Sequence, residues 1–202
     1  MHPQDPTKIL ILCSLANSLI IFRLDLMAAL IANGYQVFAA SPDLNKSISD
    51  ELTLMGVTPI KYKLQRTGLN PWKDFNSILS IKKIITEYKI DLVFPYTIKP
   101  VIYGSLAGRI KGIPVISLIT GLGFTFSKSS KKARILQRVS EILYRIALHK
   151  NRAVIFQNSD DLALFRQKQL LTKTQITHIV DGSGINLIKY PYRENNNSSN
   201  KI

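Results

Sequence analysis

Short runs of β-branched and other apolar residues alternate with longer amphipathic stretches almost to the end of this 202-residue chain. That alternation constrains the fold more than any other feature. Parallel strands cannot be joined by tight turns and need crossovers of a dozen residues or more, which helices supply. The pattern predicts strands at 8–13, 35–40, 59–64, 91–95, 114–119, 153–157 and 176–180. It predicts helices at about 19–33, 45–55, 71–88, 100–111, 130–150 and 160–169. Gly34, Gly56 and Gly112 fall where helices need a left-handed residue after their last turn. Asn70-Pro71 supplies an N-cap followed by a first-turn proline, and Ser159 with Asp160 and Asp161 makes a similar start for the last helix. The expected fold class is α/β, a doubly wound parallel sheet in one domain over 7–190, followed by a disordered polar tail at 191–202.

With a single cysteine, Cys13, a disulfide framework and a cysteine-based zinc cluster are both excluded. The longest apolar stretches, within residues 9–22, are broken by Ser14, Asn17 and Ser18 and closed by Arg23 and Asp25. They are too short and too polar for a membrane span, and no small-x-small cleavage site follows them cleanly. The chain is therefore read as cytoplasmic. Its net charge of +14 lies in the middle, where residues 61–152 carry 18 Lys and Arg against 4 Asp and Glu. A basic field of that size attracts phosphate, whether on nucleic acid, anionic lipid or a small molecule.

In an open parallel sheet, ligands bind beyond the carboxyl ends of the strands, so the loops there are the places to search. The first, 14–18, is rich in small polar side chains but has no glycine, which argues against a dinucleotide fold; no P-loop triplet occurs anywhere. Gly121-Leu122-Gly123 can present backbone N–H groups to a phosphate or sugar hydroxyl, or it can be a tight turn. Lys99 falls at a helix start, where its charge opposes the dipole; it marks an anionic ligand beside Thr97 or is simply solvated. No His, Cys, Asp and Glu cluster suggests a metal, and none of the three histidines neighbours a nucleophile and acid. No catalytic residue is assigned.

Residues 128–152 carry eight basic side chains against Glu141. At helical spacing Lys131, Arg134, Arg138 and Arg145 share one face, with Lys128 just before it, beside an apolar stripe of Leu136, Val139, Ile142, Leu143, Ile146 and Ala147. One reading is a core-facing helix with a wet basic back. The other is contact between these five basic residues and an anionic membrane surface.

From residue 8 to about 190 the chain resembles the amino-terminal half of the retaining family-four glycosyltransferases of GT-B architecture, in the branch acting on lipid-linked sugars in surface-polysaccharide synthesis. The matching segments are NSLIIFRLDLMAALIANGYQV (17–37), GLNPWKD (68–74), YTIKPVIYGSLAGRIKGIPVI (96–116), TGLGFTF (120–126), VIFQNSDD (154–161) and DGSGINLIKY (181–190). The resemblance implies a Rossmann-like half of a GT-B fold that binds a polyprenyl-linked sugar acceptor at the inner face of the cytoplasmic membrane. A nucleotide sugar would be the donor substrate, and no metal or cofactor is implied. By analogy Ser14, Asn17, Arg23, Thr97, Lys99, Thr120, Gly121 and Gly123 form the amino-terminal wall of the cleft. Many relatives have a histidine after the fourth strand, where this chain has Tyr96 and Thr97. The chain stops just past DGSGINLIKY, so the donor-binding half is expected to be absent. Activity then needs a separate donor-binding subunit, or the chain is a shortened, inactive remnant. The contrasting class is a non-catalytic basic nucleic-acid-binding protein, against which stands the lack of aromatic platforms among the basic residues.

Overall fold

The computed structural model describes residues 5–66, 68, 70–121 and 131–184, without the side chains of 131–133 and 136. The expected domain end at 190, the polar tail at 191–202, and Gly123 and Lys128 lie outside the described residues, as does the side chain of Lys131.

Seven strands and six helices alternate among the described residues. They are β1 (Lys8–Leu12), α1 (Asn17–Ala32), β2 (Gln36–Ser41), α2 (Lys46–Leu54), β3 (Thr58–Lys61), α3 (Pro71–Glu87) and β4 (Leu92–Pro95). Then come α4 (Ile98–Lys111), β5 (Ile116–Ile119), α5 (Lys131–Leu148), β6 (Ala153–Phe156), α6 (Ser159–Gln167) and β7 (Thr177–Ile179). All the strand pairs are parallel. The order is β3-β2-β1-β4 in one half-sheet and β5-β6-β7 in the other; isolated parallel bridges at Val93–Val115 and Tyr96–Leu118 join them. The expected Rossmann-like doubly wound sheet is therefore observed. β1, with Leu10, Ile11 and Leu12 wholly buried, reads as an uninterrupted apolar run because helices cover both its faces. On one face α1 and α2 bury Leu19, Met27 and Leu52 against Ile11 and Ala39. On the other α3, α4, α5 and α6 bury Ile81, Val101, Tyr144 and Phe165 against Leu10, Val93 and Phe156.

Boundaries fall within two residues of expectation except at the end of β3, and the larger differences have local causes. β3 stops at Lys61 rather than 64 because it is an edge strand whose neighbour β2 ends at Ser41, leaving 62–64 little to pair with. α4 begins at Ile98, two residues early, since a first turn tolerates Pro100. The last helix is capped by Asn158, whose Oδ1 accepts the Asp161 N–H at 2.7 Å; Ser159 is already helical. Asn70 caps α3 as expected, accepting the Lys73 N–H at 3.2 Å. Gly34, Gly56 and Gly112 all have positive φ, at 82°, 82° and 68°.

The apolar stripe on α5 divides: Ala147 is buried and Leu143 packs against the core, as the core-facing reading has it, whereas Ile142 and Ile146 are exposed. Ser140, Tyr144, Ala147 and Leu148 face inward, while Ile135, Ile142 and Ile146 are exposed on the face that also carries Arg138. At the middle of this face Tyr144 meets Phe165 edge-on at 5.2 Å and fills the space, with the small Ser140 and Ala147 beside it.

Close packing of α4 on the sheet depends on its glycines. A Cβ on Gly108 would lie 2.4 Å from Val115 Cγ2, and one on Gly104 would lie 3.0 Å from Leu12 Cδ2. Beside them Asn151 donates to the hydroxyls of Ser105 and Ser117 at 2.9 and 2.7 Å, so this buried polar group is paired.

Candidate functional site

Five loops open at the carboxyl ends of β1, β4, β5, β6 and β7. The first four were expected to converge there, and they do. Ser18, Phe22, Arg23, Tyr96, Thr97, Thr120, Gln157 and Ser183 line a cleft of about 230 Å³. It lies where β1 and β4 adjoin, at the point where the chain switches from helices on one face to helices on the other.

Arg23 is the centre of charge. It follows Ala16 and Leu19 and precedes Met27 on the inward stripe of α1, so an arginine occupies what is otherwise a core position, 5% exposed. Its Nη1 donates to the Phe22 carbonyl at 2.9 Å and to Ser183 Oγ at 3.0 Å. The guanidinium lies 4.8 Å from the centre of the Tyr96 ring, a cation–π contact. Its Nε has no hydrogen-bond partner, and among the described residues no carboxylate pairs with it. Burial pulls its pKa below the ordinary arginine value, although a guanidinium stays charged at neutral pH.

Hydroxyls surround that charge. Ser18 Oγ donates to the Leu15 carbonyl at 2.6 Å and shares a 2.8 Å hydrogen bond with the Tyr96 hydroxyl. Burial pushes the Tyr96 hydroxyl well above its ordinary pKa, so it stays neutral. Thr97 and Ser14 share a hydrogen bond of 3.0 Å across the loops after β4 and β1. Thr97 adopts φ 67° and ψ 154°, a conformation rare for a β-branched residue. Strain of that kind costs about 1–3 kcal/mol and persists where the surroundings enforce it. Gln157 Nε2 donates to Ser183 Oγ at 3.1 Å, closing the far wall.

Of the residues expected on this wall, Arg23, Thr97 and Thr120 line the cleft and Ser14 adjoins it through Thr97. Gly121 follows Thr120 with φ 126°, which explains a glycine there. Asn17 is exposed on the first turn of α1 and does not line the cleft. Lys99 is not brought to the cleft either. Its Nζ sits 2.9 Å from Asp74 Oδ1 and 2.8 Å from the Gln65 carbonyl, tying α4 to α3 and the loop after β3. Arg145, expected on a membrane face, donates to the Gln169 and Lys168 carbonyls at 3.0 Å each and caps the end of α6. Arg134 and Arg138 are exposed.

Sequence reasoning passed over Asp43, Tyr96, Gln157 and Ser183 as site residues. Asp43 holds the first loop: its Oδ1 accepts the Ala16 N–H at 2.8 Å and the Ser41 hydroxyl at 2.7 Å. Partial burial raises the carboxyl's pKa, but those donors and Arg66 outweigh it, and the net shift is downward. A depressed carboxyl stabilises the fold above its unfolded pKa near 4 and loses that effect as pH falls through the folded value. Asp43→Ala is expected to cost about 1–2 kcal/mol near neutral pH, because the buried Ala16 N–H loses its acceptor. The gap from wild type should narrow as pH drops below about 4, as urea midpoints against pH would read; a gap independent of pH would remove the carboxylate from this account.

Among the described residues the cleft offers one buried cation and several hydroxyl and amide donors, and no carboxylate or histidine lines it. Such a set has the hydrogen-bonding chemistry that phosphate and sugar hydroxyls require. Among the described residues no three His, Cys, Asp or Glu side chains group as a metal ion would need, and no helix is long and apolar enough to cross a membrane.

Comparison with known proteins agrees with this architecture. A relative from Campylobacter jejuni subsp. jejuni serotype O:2, N,N'-diacetylbacillosaminyl-diphospho-undecaprenol alpha-1,3-N-acetylgalactosaminyltransferase, is 25% identical over 170 residues, 84% of this chain and 44% of the relative. Among solved structures, a glycosyltransferase from Rickettsia africae superposes with a TM-score of 0.65 at 16% identity, over 93% of this chain and 46% of that one. Anabaena Alr3699/HepE in complex with UDP and glucose gives 0.62 at 14% identity, over 91% and 46%. MurG of Acinetobacter baumannii gives 0.57 at 15% identity, over 91% and 47%. The chain thus spans about half the length of these relatives, and its fold is that of one half of a GT-B enzyme. The family model described as Glycosyl transferase 4-like matches residues 8–158, and the chain belongs to that family.

Proposed function

We propose that this chain is the acceptor-binding, amino-terminal half of a transferase that moves a sugar from a nucleotide sugar to a polyprenyl-diphosphate-linked acceptor in surface-polysaccharide synthesis. The observation that carries the reading is the buried Arg23 guanidinium, without a carboxylate partner among the described residues, in a cleft of hydroxyl donors. A buried cation is costly unless an anion completes it, and the acceptor's diphosphate supplies that charge. The Campylobacter jejuni relative, named for a diphospho-undecaprenol-linked acceptor, supports that substrate class. Ser18, Thr97, Thr120 and Gln157 would orient the acceptor sugar and diphosphate, and the Tyr96 hydroxyl, held neutral, serves as a hydrogen-bond donor rather than a base. A donor-binding half, on a longer chain or a separate subunit, would close over the cleft. The reaction takes place at the inner surface of the cytoplasmic membrane, with Arg134 and Arg138 of α5 toward anionic lipid.

The test uses a fluorescent, short-chain polyprenyl-diphosphate-linked N-acetylhexosamine as ligand for the purified chain. Saturable binding that inorganic pyrophosphate competes away is expected. Addition of a donor-binding half and nucleotide sugar should then raise the product's mass by one sugar. Absence of binding would overturn the acceptor assignment.

A further inference from the structure

The outward face of α3 is unlike that of an ordinary solvated helix. Trp72, the chain's only tryptophan, is 82% exposed, and Phe75 and Leu79 are exposed beside it, while Ser77, Ile81, Ile84 and Ile85 bury the opposite face. At about 100° per residue Trp72, Leu79 and Lys83 fall within roughly 40° of one another, with Phe75 and Lys82 on their flank. Next to them a shallow groove of about 630 Å³ is walled in part by Lys61, Lys63 and Lys83, with Glu87 at one end. Lys73 also points to solvent at the start of the helix. The acid on the other side of the helix, Asp74, is taken by Lys99.

An aromatic and aliphatic trio ringed by lysines has the composition of an interfacial anchor: the rings enter the boundary between headgroups and acyl chains, and the ammonium groups meet anionic headgroups. A second copy of the same face would set these lysines against each other, which disfavours a symmetric dimer. α5 lies on the same side of the sheet, with α4 packed between, and it too exposes isoleucines beside arginines. We propose that the Trp72–Phe75–Leu79 face of α3, with Lys82 and Lys83, docks the chain on an anionic lipid bilayer. The inference rests on the membrane-surface part of the reading above and needs none of its transfer chemistry.

Trp72 is its own probe. With vesicles of phosphatidylglycerol in phosphatidylcholine, the tryptophan emission of the full chain should move to shorter wavelength and become shielded from acrylamide; with phosphatidylcholine alone it should not. Reversing two charges, Lys82→Glu with Lys83→Glu, should weaken binding on the order of a hundredfold, with circular dichroism unchanged. Cosedimentation with anionic vesicles without any emission change, abolished by Arg134→Glu with Arg138→Glu, would overturn the α3 assignment while leaving membrane contact through α5. An emission shift that grows with protein concentration in the absence of lipid would overturn it in favour of self-association. No binding to either vesicle would overturn both membrane assignments, and the acceptor-binding assay would still stand by itself.

Discussion

Arg23→Met is expected to lower kcat/KM for sugar transfer by about 10²–10³, measured on the chain joined by its donor-binding half. The guanidinium supplies charge-assisted hydrogen bonds worth about 1.5–3 kcal/mol each, and methionine keeps the aliphatic stem but none of the donors. Stability should move the other way or not at all. Arg23 is a buried cation with an unpartnered Nε, and replacing an uncompensated buried charge with an apolar chain of similar size is often neutral or stabilising. The informative result is the pair of measurements together. Lost turnover with an unchanged melting temperature assigns Arg23 to ligand binding; turnover that falls only in step with stability assigns it to the fold, and unchanged turnover removes it from the site.

Gly108→Val should produce the largest loss of stability of any single change considered. Its first side-chain atom would stand 2.4 Å from Val115 Cγ2, and Val115 is a buried, β-branched residue with a stiff χ1 in the lead-in to β5. Overpacking typically costs about 1–3 kcal/mol, and valine adds two methyl groups beyond the clash, so about 3 kcal/mol or more is expected. For a chain of this size that corresponds to a fall in melting temperature of roughly 6–12 °C. Gly108→Ala should cost less, because better helix propensity returns up to about 1 kcal/mol. Thermal denaturation followed by circular dichroism separates the cases. A Gly108→Val protein as stable as wild type would mean that α4 can lift off the sheet without penalty.

The sheet was legible in the sequence because its signals are local. β1 is apolar on both faces, the Asn70 side chain caps α3 by accepting a backbone N–H three residues on, and Gly112 ends α4 at φ 68°. The cleft was legible only in part. Arg23 and Thr97 could be chosen from loop position and resemblance, but pairings between distant segments could not be. Lys99 carries no sign in its own neighbourhood that Asp74, 25 residues away, will hold its charge, nor Arg145 that it will end against α6. Asp43 was missed for the same reason, since its partner Ala16 lies 27 residues earlier and meets it only because β1 and β2 pair in register. Which part of the α5 stripe turns inward was not legible, because an apolar stripe beside charges reads identically whether it faces a core or open surroundings; Tyr144 filling the inner position decides it.

The two half-sheets divide the cleft between them. Ser14, Ser18, Arg23, Tyr96 and Thr97 belong to the half ending in β4, whereas Thr120, Gln157 and Ser183 belong to the half beginning at β5. Between β4 and β5 run only isolated bridges, and α4 lies across that line on its glycines. The two walls of the cleft therefore meet along one seam. Gly104 seats α4 against Leu12 and Pro95 of one half, and Gly108 seats it against Val115 at the start of the other, so a side chain added at either is expected to be felt at the cleft although neither glycine lines it.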